Sequence, residues 1–375
     1  MKLALVGPAY PYRGGLVHFQ EALYRALQAR GHEPVLVTFR RQYPDWLFPG
    51  RTQYDRPRAD AIAGLRWIDT LLPWTWLQAA YRIRSLGVEA VIFRYWMPFF
   101  APAFGVMARL LRRAGIRVLA IVDNALPHER HLGDHALSRF FLRSCEAFLF
   151  LSRAVAEEVR GLGLQRPFRI IEHPRYTLFG DPVPTGEARR ALGLPPDVPI
   201  LLFFGYVRPY KGLGLLLEAV AAASRALPDL LLLVAGEFYE DERPYREAVD
   251  RLGLGDRVRF YPEYIPNEQV RLFFSAADLV VLPYLEATQS GVGLIAMQLE
   301  RPVLATAVGG LPEFVRDGET GLLVPPRDPK AMAEAIVRFF RSPQEGERMR
   351  AAIGLLRARY SWDRLVEAIE DLLRP

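Results

Sequence analysis

Two cations three residues apart follow an apolar run in the middle of the chain. Arg208 and Lys211 stand in the segment 205–212, GYVRPYKG, between a predicted buried strand and a predicted helix. A guanidinium offers a fork of donors and an ammonium a point charge, so the pair suits a diphosphate. A solvated basic turn is the common alternative. The position at the carboxyl end of a strand favours ligand binding.

A second polar segment, 283–293, precedes another predicted helix. Ser290, Gly291 and Val292 stand at the start of that helix, where free backbone N–H groups and the helix dipole attract anions. An ordinary serine cap has the same sequence pattern. Because this loop should share a sheet edge with Arg208 and Lys211, we predict that these residues bind one diphosphate, with the backbone N–H groups as donors.

The loop between the first predicted strand and the first predicted helix, residues 7–15, has the sequence GPAYPYRGG. Gly14 and Gly15 allow a ligand to approach the backbone closely, so this is the predicted donor and acceptor loop. The chain contains neither G-x-G-x-x-G nor a P-loop, which disfavours dinucleotide and ATP binding.

The segment 122–131, VDNALPHERH, also follows a predicted strand. Asp123, His128, Glu129 and His131 are candidates for acid–base catalysis or for binding sugar hydroxyls. Either histidine can instead make a structural hydrogen bond. No cysteine, histidine or aspartate spacing fits zinc, and G-x-S-x-G is absent, so we expect no metal and no serine nucleophile.

Apolar runs alternate with helical patterns in two blocks, which predicts parallel sheets covered by helices. Strands are predicted at Leu3–Val6, Pro34–Thr38, Ala90–Phe93, Val118–Val122, Ala147–Leu151 and Phe168–Ile171, and after the proline-rich linker 174–199 at Ile200–Phe204, Leu230–Val234, Val258–Tyr261, Leu279–Leu282, Pro302–Thr306 and Leu322–Val324. The predicted fold is α/β, with two Rossmann-like doubly wound domains facing across a cleft. Their predicted bounds are 1–175, with the helix 361–375 packing back on it, and 190–358.

Composition and charge bear on the compartment of the protein and on its partners. The one cysteine, Cys145, allows no internal disulfide, and neither a signal peptide nor a membrane span is evident, so a cytoplasmic protein is expected. Residues 1–175 carry 25 basic and 14 acidic side chains, a net charge of +11, against −5 for the rest. The excess is spread along the chain without a recognition motif, so no nucleic-acid partner is predicted.

The stretch 40–76 is unusually rich in arginine and tryptophan, and its first part, 40–73, is predicted to be a long loop or an inserted substructure. Its aromatic and cationic residues are Trp46, Phe48, Trp67, Trp74, Trp76, Arg40, Arg41, Arg51, Arg56, Arg58 and Arg66. Such a mixture suits a membrane interface, stacking on sugar rings, or a buried aromatic cluster. No clean amphipathic helix is visible there. We therefore expect a glycan or lipid-linked acceptor, with at most peripheral contact to the inner membrane face.

Together these segments resemble the retaining nucleotide-sugar glycosyltransferases of family four, which have the two-domain GT-B architecture. The resemblance extends over nearly the whole chain. It rests on VGP at 6–8 with Gly14 and Gly15, RPYKG at 208–212, AGE at 235–237, SAAD at 275–278, PVLAT at 302–306, VGGLPE at 308–313 and DGETGLLV at 317–324.

The resemblance implies a role for each matching position. The donor is a nucleoside diphosphate sugar, and no cofactor or metal is needed. The diphosphate leaves, and the acceptor attacks, on the same face of the sugar. By this resemblance Arg208 and Lys211 bind the diphosphate and Gly15 approaches the transferred sugar. The final helix, near Trp362, packs back on the first domain. The implied nucleotide contacts are Glu237, Tyr264 and Ile265, and the implied catalytic residues are Asp123, His128 and Glu286.

Two positions depart from the family pattern. Many members have two glutamates eight residues apart, and here Ile295 occupies the second position while the first falls near Ala287, beside Glu286. The sequence Thr-Gln-Ser-Gly-Val at 288–292 is similar to a variant subgroup. Many members also have histidine where this chain has Asp123.

The predicted function is therefore transfer of a sugar from a nucleoside diphosphate sugar to a glycan, a lipid-linked or a small-molecule acceptor. Two alternatives stay open: a nucleotide-sugar epimerase of the same architecture, and a non-catalytic protein that binds sugars or nucleotides.

Overall fold

The computed structural model of the protein describes residues 1–44, 46, 48, 52–58, 60–126, 132–175, 178–287, 290–356 and 360–374. The chain divides into two compact units. The first comprises Met1–Pro174 and Tyr360–Pro375, and the second comprises Arg175–Arg359. Within the described ranges, no helix is long and apolar enough to cross a bilayer.

The first unit is built on a parallel sheet. Its strands are β1 (Lys2–Val6), β2 (Glu33–Arg41), β3 (Leu65–Asp69), β4 (Ala90–Tyr95), β5 (Arg117–Val122), β6 (Ala147–Phe150) and β7 (Phe168–Ile170). They lie in the order β3-β2-β1-β4-β5-β6-β7. The helices between them are α1 (Gly15–Ala29), α2 (Pro73–Ser85), α3 (Ala101–Arg113), α4 (Asp134–Leu142) and α5 (Arg153–Gly161).

The second unit repeats this plan. Its strands are β8 (Ile200–Phe204), β9 (Leu231–Ala235), β10 (Val258–Tyr261), β11 (Leu279–Leu282), β12 (Val303–Thr306) and β13 (Gly321–Val324). They lie in the order β10-β9-β8-β11-β12-β13. The helices are α6 (Thr185–Ala191), α7 (Leu213–Ala223), α8 (Arg243–Arg251), α9 (Asn267–Ala276), α10 (Gly291–Gln298), α11 (Leu311–Phe314), α12 (Pro329–Arg341) and α13 (Pro343–Leu356).

Both sheets have the doubly wound order, in which the chain moves outward from the first strand and then returns to its other side. The central strands are almost entirely apolar, as expected when helices cover both faces of a parallel sheet, and Arg94 in β4 is an exception. In β9, for example, all five residues of LLLVA are buried. The predicted α/β class with two doubly wound parallel-sheet domains is confirmed.

One strand was missed in the arginine- and tryptophan-rich stretch. Residues 65–69 form β3, which pairs with β2 at the edge of the sheet. Its sequence, LRWID, is short, and its first two residues are exposed, so it lacks the apolar run that marks the other strands. The helix α2 follows it almost directly and begins at Pro73, near the end of this stretch.

The last helix, α14 (Trp362–Leu372), belongs to the first unit. Ser361 caps it, and its buried residues recur at helical spacing from Leu365 to Ile369. Its Trp362 ring packs edge-on against Phe19 of α1 at 4.9 Å. This helix places an aromatic side chain beside the end of the sheet where the predicted acceptor loop lies.

Candidate active site

The central feature of the second unit is the point where its strand order reverses, between β8 and β11. Ligands of doubly wound sheets bind outside the carboxyl ends of the strands at such a point. Arg208 and Lys211 follow β8, and Ser290 follows β11. The sequence-predicted diphosphate residues therefore flank the reversal point.

The two loops that carry these residues are tied to each other. The backbone N–H of Leu285 donates to the carbonyl oxygen of Tyr210 at 2.7 Å. Gly212 has a left-handed φ of 70°, and a Cβ built on it would collide with the carbonyl oxygen of Pro283. Glycine is therefore required at position 212 on two counts, backbone conformation and space.

Lys211 is almost fully buried, with 8% of its surface exposed. Its ammonium lies 5.6 Å from the centroid of the Tyr284 ring. A Cβ built on Gly205 would lie 3.2 Å from Lys211 Nζ and 3.4 Å from Val292 Cγ2. The Lys211 ammonium and the Val292 side chain, in the first turn of α10, thus both lie close to Gly205, which follows β8.

Burial lowers the pKa of Lys211 to about 7, and the nearby charge of Arg208 acts in the same direction. An ammonium without a close anion loses hydration energy when it is buried, which favours the neutral amine. A bound diphosphate would reverse this effect by favouring the charged form.

The start of α10 has the features of an anion-binding helix terminus. Ser290 Oγ accepts a hydrogen bond from the backbone N–H of Gly293 at 3.2 Å, so the hydroxyl is engaged as the helix cap. In the first turn, the N–H groups of Gly291 and Val292 have no acceptor within the helix. The backbone, rather than the serine hydroxyl, is thus the group placed to meet an anion.

Arg208 is held beside an aromatic ring. Its guanidinium lies 4.9 Å from the centroid of Tyr239, which in turn lies 4.3 Å from Tyr206. The predicted nucleotide residue Tyr264 extends this group of rings, at 6.3 Å from Tyr206. Sequence analysis missed Tyr206 and Tyr239, although each follows a predicted strand closely enough to have been a candidate.

The other two predicted nucleotide residues are buried. Glu237 follows β9, with 2% of its surface exposed, and its carbonyl oxygen accepts from the N–H of Val207 at 2.9 Å. Ile265 follows β10 with 8% exposed. Both therefore lie at the carboxyl edge of the sheet that carries Arg208 and Lys211, and their contact with a nucleotide stays a prediction.

The loop between β11 and α10 places Glu286 at the surface. Ile295, in the position where many family members have the second glutamate, is buried in α10. An apolar side chain there cannot accept a hydrogen bond from a ribose hydroxyl. Any ribose contact must then come from a different group.

In the first unit, Asp123 stands at the end of β5 and forms an ion pair with Arg94 of β4. Arg94 Nε donates to Asp123 Oδ2 at 2.5 Å, and Arg94 Nη2 donates to Asp123 Oδ1. Burial raises the pKa of the Asp123 carboxyl, and the guanidinium opposes that rise. Both carboxylate oxygens have a donor, so the predicted catalytic carboxylate is held in one orientation.

The Arg94 guanidinium is itself fixed by aromatic packing. It lies 3.5 Å from the centroid of the Phe19 ring, and Phe19 also packs against His173 at 5.0 Å and Trp362 at 4.9 Å. Sequence analysis missed Arg94. The sequence feature that could have identified Arg94 is that it is the single charged residue in the buried strand AVIFRY.

The remaining first-unit predictions fall in two loops. Gly14 and Gly15 stand at the start of α1, and their approach to a ligand stays a prediction. In the same loop, the Tyr12 hydroxyl accepts from the backbone N–H of Gln42 at 3.1 Å, and the Tyr12 ring stacks on Tyr54 at 5.4 Å. His128, Glu129 and His131 lie outside the described residues.

The fold and these two sites define a class, the GT-B proteins with two Rossmann-like domains. Solved structures support the fold. Sucrose-phosphate synthase from Thermosynechococcus elongatus is 24% identical, with a TM-score of 0.73 over 99% of this chain and 98% of that one. Anabaena HepE in complex with UDP is 17% identical, with a TM-score of 0.77 over 99% of each chain.

Two family models match successive parts of the chain. Residues 13–174 match the model described as Glycosyltransferase Family 4, and residues 198–342 match the model described as Glycosyl transferases group 1. Each of the two units thus matches a glycosyltransferase family model over most of its length.

Curated relatives agree with these matches. D-inositol 3-phosphate glycosyltransferase of Streptomyces griseus is 35% identical over 58% of this chain and 48% of its own length. The enzyme of the same name from Actinosynnema mirum is 32% identical over 68% of this chain and 63% of its own. The chain thus spans about half to two thirds of the length of these relatives.

Proposed function

We propose that the protein is a retaining glycosyltransferase that takes a sugar from a nucleoside diphosphate donor. The proposal rests on one observation. The buried Lys211 ammonium and the first turn of α10 both lie close to Gly205. A buried cation with a lowered pKa beside a helix N-terminus is a site prepared for a multiply charged anion.

The chemistry follows from where charge develops. When the bond between the anomeric carbon and the diphosphate breaks, negative charge grows on the leaving diphosphate. Lys211, Arg208 and the N–H groups of Gly291 and Val292 are the donors available to stabilise it. The contacts of Leu285 and Gly212 between the two loops would help to hold these groups in place before the reaction.

The nucleotide would lie on the other side of Arg208. The rings of Tyr206, Tyr239 and Tyr264 offer aromatic faces on which a base could stack, and Glu237 carries a carboxylate at the same sheet edge. A uridine nucleotide is the first donor to test, because Anabaena HepE was solved with UDP and with UDP-glucose.

On the acceptor side, the oriented carboxylate of Asp123 would accept a hydrogen bond from a sugar hydroxyl. Arg94 donates to both oxygens of this carboxyl group and holds it in one orientation, so Asp123 would orient the acceptor rather than act as its base. The names of the relatives make a phosphorylated polyol the first small-molecule acceptor to test. Glycans and lipid-linked sugars are the other two classes.

Retention is proposed on the resemblance of the chain's motifs to the retaining glycosyltransferases of family four. The bond between the anomeric carbon and the diphosphate would break, and the acceptor hydroxyl would bond to the same face of that carbon, with the leaving diphosphate accepting the acceptor's proton. His128 and Glu286 remain candidate contributors, the first outside the described residues and the second exposed near α10.

One observation favours a second possibility, a binding protein with weak or no turnover. Ile295 removes the glutamate that many family members have at that position. A donor screen separates the two. We expect release of UDP, GDP or another nucleoside diphosphate from one nucleotide sugar, faster with acceptor present, and an anomeric proton coupling in the product that matches the donor. Calorimetric nucleotide binding without release across the panel would instead favour the binding protein.

A further inference from the structure

Large exposed apolar side chains are concentrated in one part of the first unit. Among the described residues, those with at least about a third of their surface exposed include seven between 46 and 81, and one in the second unit, Leu355. The seven are Trp46, Tyr54, Leu65, Leu71, Trp74, Leu77 and Tyr81. A cluster of this kind marks an interaction surface, whereas single exposed apolar residues do not.

The helix α2 organises the centre of this cluster. Trp74, Leu77 and Tyr81 are 56%, 52% and 70% exposed, and their spacing of three and four residues places them on one face. The opposite face, with Ala79 and Ile83, belongs to the hydrophobic core of the unit. The helix thus presents an apolar stripe on each side, one to the protein and one outward.

Arginines border the outward stripe. Residues three or four apart are neighbours on a helix. Arg84 therefore lies next to Tyr81 on one side of the stripe, and Arg82 lies next to Gln78 on the other side. The helix contains no acidic residue. From residue 40 to residue 85 the sequence has eight arginines and four aspartates. Asp69 is paired with Arg41, and both Arg82 and Arg84 are exposed.

We propose that the outward face of α2 binds the surface of an anionic lipid bilayer. Trp74, Leu77 and Tyr81 would enter the boundary between headgroups and acyl chains, and Arg82 and Arg84 would meet the lipid phosphates. Tryptophan and tyrosine favour this boundary because each has an apolar body and a polar tip.

A second copy of the chain fits this surface less well. In a twofold interface through α2, the same patch meets itself, so the bordering arginines would face arginines with no acidic side chain on the helix to pair with. The anionic bilayer supplies the charge that the helix lacks.

The position of α2 connects this surface to the proposed acceptor. The helix begins at the carboxyl edge of the sheet, directly after β3, and the loop 7–15 lies at the same edge. The segment between β2 and β3 also pairs with that loop, through Tyr10 with Ala63 and Tyr12 with Tyr54. The start of α2 and the glycines Gly14 and Gly15 therefore share one edge of the sheet. This deepens the proposed function, since it assigns a lipid-linked acceptor to the membrane side.

Flotation with vesicles tests the proposal on the full chain, without donor or acceptor. We expect binding to phosphatidylcholine vesicles that contain phosphatidylglycerol, little binding to pure phosphatidylcholine, and loss of binding at high salt. The triple variant Trp74→Ser, Leu77→Ser, Tyr81→Ser should lower the partition coefficient by roughly tenfold or more. Arg84→Glu should lower it at low salt.

Matched controls come from the second unit. Leu355→Ser removes an apolar side chain that is 83% exposed, and Arg348→Glu reverses an exposed charge; both should leave vesicle binding unchanged. Equal binding by the triple variant and the native chain would overturn the proposal. So would a native dimer in gel filtration that the triple variant abolishes. Donor hydrolysis measured without vesicles reports on the proposed function separately, because the variants leave the second unit intact.

Discussion

Leu285 donates its backbone N–H to the carbonyl oxygen of Tyr210 at 2.7 Å, and this bond joins the loop of Lys211 to the loop that leads into α10. The loop that carries the cation and the loop that leads to the helix terminus are thus joined at one point, although Lys211 and Ser290 are 79 positions apart in the sequence. Fixed donors of this kind stabilise a developing charge without reorganising during the reaction.

Removing either cation should weaken the donor site without unfolding the protein. We expect Lys211→Ala and Arg208→Ala each to reduce donor affinity or kcat/KM by roughly ten- to a hundredfold, since a charge-assisted contact contributes about 1.5–3 kcal/mol. Lys330→Ala is the control, because Lys330 lies on α12 with 88% of its side chain exposed. Calorimetry and steady-state kinetics measure both effects, and native kinetics in both variants would remove the assignment.

Donor affinity should depend on pH through Lys211. Its pKa is lowered to about 7, so the ammonium that attracts a diphosphate loses its proton as the pH rises through 7. Affinity should therefore be full below pH 7 and fall above it, with uptake of a proton on binding. Calorimetry in two buffers of different ionisation enthalpy measures that uptake. Lys211→Arg should flatten the profile, and a native profile that is already flat from pH 6 to 9 would contradict the idea.

The start of α10 allows the backbone donor to be tested apart from the serine hydroxyl. Gly291→Pro deletes an N–H at the first helical position, where proline is well tolerated, and Ser290 already has the extended conformation that a following proline requires. We expect a large loss of donor affinity with little loss of stability.

Ser290→Ala should give the opposite result. It removes the cap bond to Gly293 and costs about 1 kcal/mol of stability, but leaves the backbone donors in place. Thermal unfolding and calorimetry on both variants give the comparison. If Ser290→Ala lost more donor affinity than Gly291→Pro, the hydroxyl rather than the backbone would be the ligand.

The sequence allowed both sheets to be predicted because parallel strands buried on both faces are continuous apolar runs, as in β8 and β9. The edge strand β3 is short, half exposed and mixed in polarity, and it gave no such signal. The helix α2 was missed for a related reason. Its two apolar stripes, inward through Ala79 and Ile83 and outward through Trp74 and Tyr81, remove the single polar face by which such helices are recognised.

In the candidate site, the residues near a strand end could be predicted, but their partners could not. Arg208, Lys211 and Ser290 stand in loops whose place at a sheet edge follows from strand order. The partnership of Arg94 with Asp123 depends on the register of β4 against β5, which places Arg94 opposite Ile121 and Tyr95 opposite Val122. Strand register is a tertiary property that a lone charge in an apolar run does not specify.

The ion pair between Arg94 and Asp123 gives a prediction that separates stability from activity. Arg94→Met leaves a buried carboxylate without its partner and should cost about 3–5 kcal/mol of stability. The double variant Arg94→Met, Asp123→Leu removes both charges and should recover most of that loss, because apolar side chains of similar size replace a buried pair at little cost. Urea unfolding followed by tryptophan fluorescence measures both.

If Asp123 orients the acceptor, the recovered double variant should still transfer sugar poorly. We expect native donor affinity, since the diphosphate site lies in the second unit, together with a transfer rate lower by roughly ten- to a hundredfold, the effect of one lost charge-assisted hydrogen bond. Donor hydrolysis to water should fall less than transfer to the acceptor. A stable double variant with native transfer kinetics would show instead that the pair serves only to hold β4, β5 and the Phe19 ring together.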